Sequence, residues 1–255
     1  MAETPEPHRT VHTMGTVFSL TTRGRPTPAV RAAFDAAERL LHHTDRVFSP
    51  FRPDSAISLL ARGGTVPGAW RAEVDEVLGL CARAEARSGG AFTVGYGSGL
   101  DPSGLVKGWA VERAAGLLRD AGATDVCVNG GGDIQLHGGP WRVGIAHPLL
   151  PGKVAAVVTS PAGPLAVATS GTAERGCHIV DPRTGAPPVG APASLTVVCA
   201  SLTEADTLAT AAYAKGVEAQ GWLATLADVS AFAVATDGTT WATGGLAGTS
   251  PTKPV

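Results

Sequence analysis

Val229-Ser-Ala-Phe-Ala-Val-Ala-Thr-Asp237-Gly238-Thr-Thr-Trp-Ala-Thr243 is the stretch that decides the fold class. Two runs rich in β-formers, 229–235 and 239–243, flank an Asp-Gly pair. That pair takes the left-handed backbone of a tight turn readily, so the stretch reads as an antiparallel hairpin. Working back from it, strands are predicted over 195–200, 165–168, 154–159, 141–146, 134–136 and 125–129, and another over 14–22. Helices are predicted between them. Thr27-Pro28 supplies a cap and a first-turn proline, and apolar residues then recur at helical spacing to about His43. Further helices are expected from Ser55 and over 69–88, 107–121, 203–215 and 217–226. Strands and helices are mixed rather than strictly alternating, which predicts an α+β fold with a largely antiparallel sheet and packed helices.

The chain has 255 residues, 44% of them hydrophobic, enough to bury a full core. Its net charge of −2 argues against a nucleic-acid binder driven by phosphate neutralisation. Cys81, Cys127, Cys177 and Cys199 form no CxxC pair, so buried reduced thiols are expected rather than zinc or a disulfide framework. The first twelve residues carry neither an apolar core nor a basic flank, and no apolar run reaches the length of a membrane span. The expectation is a cytoplasmic protein without a membrane segment. It would have a flexible N-terminus (1–10), a single domain (11–247) and a flexible tail (248–255).

Two runs carry chemistry. In 178–185, His178 and Asp181 are expected on a strand that breaks at a Pro/Gly turn. A histidine there is suited to act as a base, or simply to pack. In 204–210, Asp206 and Thr210 stand four apart, so both oxygens point from one helix face, as a hard cation such as Mg²⁺ requires. The competing reading is that Thr203 caps this helix and Glu204 and Asp206 only satisfy its positive end. Gly130-Gly-Gly132 suits either an anion-binding turn or a plain tight one. Lys107, in a helix first turn, needs an anionic partner, either Asp101 or a ligand phosphate. Phe51, Phe92 and Tyr96 are loop aromatics able to stack on a flat heterocycle or to cover the core.

In chain order these runs read Met14-Gly-Thr16, Ser49-Pro-Phe51, Gly90-Ala-Phe-Thr93, Asp101-Pro-Ser-Gly-Leu-Val-Lys107-Gly108, Asn129-Gly-Gly-Gly-Asp133, Thr169-Ser-Gly171, His178-Ile-Val-Asp-Pro-Arg-Thr-Gly185 and Ala205-Asp206 to Thr210. The order resembles the ApbE-type FAD:protein FMN transferases over about residues 11–247, and the resemblance implies an ApbE/T-fold-like architecture. Such enzymes bind FAD with Mg²⁺ and move its FMN half onto a threonine or serine hydroxyl of a target flavoprotein, releasing AMP.

Carried over by position, the resemblance makes Asp206, Thr210 and the backbone carbonyl of Gly104 metal ligands. It makes Met14, Phe51, Ala91, Phe92, Thr93, Asp101, Lys107 and Val180 FAD contacts, and His178 the base for the incoming hydroxyl. There are departures. Thr93 stands where the family has aspartate, which implies a lost or changed flavin contact, and the segment from Thr93 to Asp101 is short. Two other readings share the same pocket: an Mg²⁺-dependent FAD pyrophosphatase giving FMN and AMP, and a flavin-binding module without chemistry.

Overall fold

The computed structural model describes residues 7–95, 99–160, 162–171 and 179–246. Along the chain these form β1 (His8–Thr13), β2 (Thr16–Thr22), α1 (Pro28–Phe48), α2 (Ala56–Ala61), α3 (Arg71–Ser88), α4 (Ser103–Asp120), β3 (Val126–Gly130), β4 (Asp133–His137), β5 (Trp141–Ala146), β6 (Val154–Ser160), β7 (Leu165–Gly171), β8 (Ser194–Cys199), α5 (Leu202–Lys215), α6 (Ala219–Ala224), β9 (Ser230–Val234) and β10 (Thr240–Thr243).

Eight strands make one sheet in the order β1-β2-β3-β4-β7-β8-β9-β10, and β5 and β6 pair separately. Every neighbouring pair is antiparallel. The hairpin read from Asp237-Gly238 is present, with Thr240 opposite Val234 and Thr243 opposite Ala231. The two-residue period of the strands then divides the core. Leu195 and Val197 of β8, with Ala231 and Ala233 of β9, join the main cluster with α1, α4 and α5. Their alternates Val198, Phe232 and Val234 face Ile145, Ala155, Ala156 and Val158 of the two-stranded sheet. The sheet is thus covered on both faces, and β8 is buried along its whole length. Phe18, Leu20, Leu41, Leu105, Leu118 and Leu195 are fully buried, each worth about 1.5–3 kcal/mol of apolar burial.

Several boundaries differ from the sequence reading. β1 begins at His8, inside the stretch expected to be flexible, because pairing with β2 from His8–Thr21 to Thr13–Thr16 satisfies its backbone. α1 runs five residues past His43, since Thr44, Val47 and Phe48 continue its buried stripe up to Ser49-Pro50. α4 starts at Ser103, four residues before Lys107. The cap of α5 is Ser201, whose hydroxyl accepts from Glu204 N at 3.3 Å, and not Thr203. Thr203 instead donates to Glu112 Oε2 through both its N–H and its hydroxyl. Asp181 lies on no strand: it forms an isolated bridge with Ala186 that closes the turn.

Cys81 and Cys199 are buried, Cys127 is partly so, and none is in a disulfide. Burial pushes their thiols up to about 12, 11 and 11 respectively. Cys177 lies outside the described residues. Among those residues no helix is long and apolar enough to cross a membrane.

Candidate active site

Two tight turns and two helix faces build one cleft of about 1350 Å³. Pockets that bury a drug-sized ligand run to roughly 1000 Å³, so this one has room for a dinucleotide. The first turn, Met14-Gly15, joins β1 to β2 with φ of 49° and 67°. Left-handed backbone is costly for methionine, on the order of 1–2 kcal/mol, and it places Met14 in the cleft wall. The second turn, Gly131-Gly132, joins β3 to β4 with φ of 60° and 93°. A Cβ on Gly131 would lie 2.6 Å from Thr16 Oγ1, so only glycine lets the two turns stack. Asn129 Oδ1 accepts from Gly132 N at 2.9 Å. The glycine run is therefore a tight turn that also lines the cleft.

The floor comes from α4 and α5. Gly104 and Lys107 of α4 and Asp206 and Thr210 of α5 all line the cleft. Asp206 and Thr210 share one helix face, as their spacing predicts. A Cβ built on Gly104 would sit 3.7 Å from Thr210 Oγ1, so the two helices are nearly in contact there. Asp206 is only 5% exposed, and its Oδ2 accepts from Gly108 N at 3.1 Å. Glu204, the carboxylate in the first turn of α5, pairs with Arg87.

The anion that Lys107 needs is not Asp101. Its ammonium pairs with Asp133 and lies 3.9 Å from Asp206 Oδ2. Asp101 instead accepts from Ser103 N at 2.9 Å through Oδ1, ahead of α4. Asp133 is 1% exposed, and its Oδ1 also accepts from Thr169 N at 2.9 Å. It therefore ties the start of β4 to β7 and holds Lys107 over the floor. In the sequence Asp133 stands at the end of the glycine turn, with no local sign of this role. The signal was the need of Lys107 for an anionic partner.

The walls hold the remaining expected residues. Phe51 stands at the mouth, 92% exposed. Ala91 and Phe92 are buried, and both line the cleft together with Thr93, Asp101 and Val180. Thr93 donates its hydroxyl to Glu85 Oε1 at 3.3 Å. His178 and Tyr96 lie outside the described residues. Ile179 and Val180, which follow His178, line the cleft. Just beyond them Asp181 is clamped by Arg183, whose Nε and NH2 donate to its two oxygens at 2.9 Å each. That guanidinium holds the Asp181 carboxyl below the usual carboxylate range, and it also bonds Glu218 Oε2 at 2.9 Å.

The charge balance of the lining is lopsided. Among the described residues, the lining carries the carboxylates of Asp45, Asp101, Asp133 and Asp206 and the ammonium of Lys107. Among the described residues no cluster of three or more His, Cys, Asp or Glu is placed to hold a metal. The residues expected to hold a metal, Asp206 with its carboxylate, Thr210 with its hydroxyl and Gly104 with its backbone carbonyl, all line this floor. All three donors are hard oxygens, and this suits Mg²⁺, which takes one or two carboxylates and completes its shell with substrate phosphate and water.

The ApbE family model matches residues 14–100 and 95–233. Among curated proteins, the chain is 35% identical over 132 residues to the FAD:protein FMN transferase of Vibrio cholerae serotype O1, covering 47% of this chain and 39% of that one. It is 37% identical over 131 residues to the FAD:protein FMN transferase of Rhodobacter capsulatus, covering 47% of this chain and 24% of the relative. The matches thus span well under half the length of these relatives. Among solved structures, the flavin transferase ApbE from Vibrio cholerae superposes with a TM-score of 0.77 at 22% identity, over 94% of this chain and 97% of that one. The apbe protein from Thermotoga maritima gives 0.79 at 19% identity, over 94% and 97%. These structural matches establish the α+β fold.

Proposed function

From its membership of the ApbE family, we propose that this chain is an Mg²⁺-dependent FAD:protein FMN transferase that moves FMN from FAD onto a threonine or serine hydroxyl of a target flavoprotein. The observation that carries the reading is the convergence of residues far apart in sequence, from Met14 to Thr210, on one cleft. Among the described residues the lining is rich in carboxylates, those of Asp45, Asp101, Asp133 and Asp206, and a cation accompanying the pyrophosphate would offset their repulsion. Gly104, Asp206 and Thr210 would hold that cation. Mg²⁺ bound there would draw charge from the phosphate oxygens of FAD as the bridge breaks.

The chain's own residues supply the rest. Phe51, exposed at the cleft, offers a ring face to a flat end of the dinucleotide, while Phe92 packs into the core beneath the lining. Lys107, kept in place by Asp133, would stabilise negative charge growing on the phosphates. A hydroxyl is a weak nucleophile until a base takes its proton, and His178, adjacent to the cleft-lining Ile179, is the residue placed in sequence to do so. The acceptor oxygen then bonds to the FMN phosphorus, the bond from that phosphorus to the bridging oxygen breaks, and AMP leaves with that oxygen. Positioning and electrostatics would account for most of the rate.

The test is incubation with FAD, Mg²⁺ and a candidate flavoprotein acceptor, followed by mass spectrometry and AMP measurement. A mass gain of one FMN group with matching AMP release supports the reading. AMP without the mass gain would assign a pyrophosphatase instead, and neither product would leave a binder.

A further inference from the structure

The carboxylate at the centre of this site has its position set from the neighbouring helix. Gly108 sits within α4, one turn beyond Gly104, and is buried against α5. A Cβ built on it would lie 2.7 Å from the backbone oxygen of Leu202 and 2.9 Å from Asp206 Cβ, with Asp206 Oδ2 at 3.2 Å. Real Cβ atoms do not approach backbone oxygen that closely, and Leu202 O belongs to the first turn of α5, which has no flexible end to swing away. Its conformation is ordinary helix, so space rather than backbone strain is what excludes a side chain here. The same residue also makes a directed contact: its N–H donates to Asp206 Oδ2 at 3.1 Å. The i, i+4 pair Gly104 and Gly108 thus faces the i, i+4 pair Thr210 and Asp206 in opposite sense.

We propose that Gly108 is a positioning residue for the Asp206 carboxylate, acting through its missing side chain and its backbone N–H. The missing Cβ lets α5 come close enough to put Asp206 on the cleft floor. The N–H then fixes one carboxylate oxygen and orients the other for a cation. Partners that orient a metal-binding side chain fix its geometry and tune its affinity for the metal. The inference rests on the reading of Asp206 as an Mg²⁺ ligand.

The experiment compares Gly108→Ala with Gly116→Ala in the full chain. Gly116 lies on the same helix, and a Cβ there meets nothing within 4 Å. Mg²⁺ is titrated into each protein by calorimetry, and the KM for FAD is measured at saturating Mg²⁺. Gly108→Ala is expected to weaken Mg²⁺ binding roughly 10–100-fold, the usual effect of losing an outer partner of a metal ligand, with an unchanged KM for FAD. Gly116→Ala is expected to bind Mg²⁺ as the wild type does. Wild-type affinity in Gly108→Ala overturns the proposal, as does equal weakening in both variants or a parallel rise in the KM for FAD. If Gly108→Ala does not fold, the amide resonance of Gly108 in the wild-type protein decides. It must shift on Mg²⁺ addition while that of Gly116 stays still, and a Gly108 amide that ignores bound Mg²⁺ overturns the proposal. A wild-type protein that binds no Mg²⁺ removes the metal reading itself, a failure distinct from wild-type affinity in the variant.

Discussion

Replacing Asp133 with alanine tests the two bonds through which it holds the site together. Asp133 is buried, holds the Lys107 ammonium through Oδ2 and accepts from Thr169 N through Oδ1. Truncation therefore removes two things at once. Leaving a buried charge without its partner costs about 3–5 kcal/mol when nothing replaces it. Here the loss is smaller, because Lys107 keeps some exposure and has Asp206 Oδ2 at 3.9 Å to turn towards. Stranding the Thr169 N–H costs about 1–3 kcal/mol more if water does not reach it. Together they put the destabilisation at roughly 2–4 kcal/mol, or a Tm lower by about 4–16 °C for a chain of this size. Asp133→Asn keeps an acceptor for Thr169 and should lose about 1–2 kcal/mol less. Urea unfolding at neutral pH measures both, read from the midpoint at constant slope. If Asp133→Ala unfolds at the wild-type midpoint, or if Asn costs as much as Ala, the double role assigned to Asp133 is wrong.

Three other outcomes are expected. Asp206→Ala should abolish Mg²⁺-stimulated AMP release from FAD while circular dichroism stays native, and undiminished turnover would rule out the metal assignment. His178→Ala should slow transfer to the acceptor by roughly 10²–10⁴-fold, the span for a lost general base, with FAD affinity unchanged by fluorescence titration. A collapse of FAD binding would make His178 structural. The third outcome concerns pH. Arg183 holds the Asp181 carboxyl below its ordinary value of 3.8, so the stabilisation is fully present above that value and lost as pH falls through the lower folded one. Asp181→Asn should thus be less stable than wild type at pH 7 by roughly 1–2 kcal/mol, and the gap should close as pH drops below 3.8; a gap that stays constant in urea melts down to pH 2.5 would contradict the clamp.

The fold was legible where local chemistry and tertiary packing agree. Asp237-Gly238 could only turn one way between β-forming runs, and Thr27-Pro28 marks a helix start without help from the rest of the chain. Where packing overrides local signals, reading failed. His8–Thr13 looks polar and loose by itself, and becomes a strand because β2 offers its edge. Ser103 to Val106 gives no helical periodicity, yet α4 begins there. Pro102 O takes Leu105 N and Val106 N, while Asp101 Oδ1 takes Ser103 N. The resemblance named candidate residues that line one cleft, and i, i+4 spacing put Asp206 and Thr210 on one face. The partner of Lys107 was hidden because Asp133 is 26 residues further along and arrives through sheet pairing, which no local pattern encodes.

The most direct measurement is an anomalous difference map from crystals of the protein grown with FAD and Mn²⁺ in place of Mg²⁺. The account expects one strong peak between the Gly104 carbonyl, Asp206 and Thr210, with the FAD pyrophosphate against it and Phe51 over one ring system. A peak elsewhere, or FAD bound outside the cleft between α4, α5 and the two glycine turns, would contradict it.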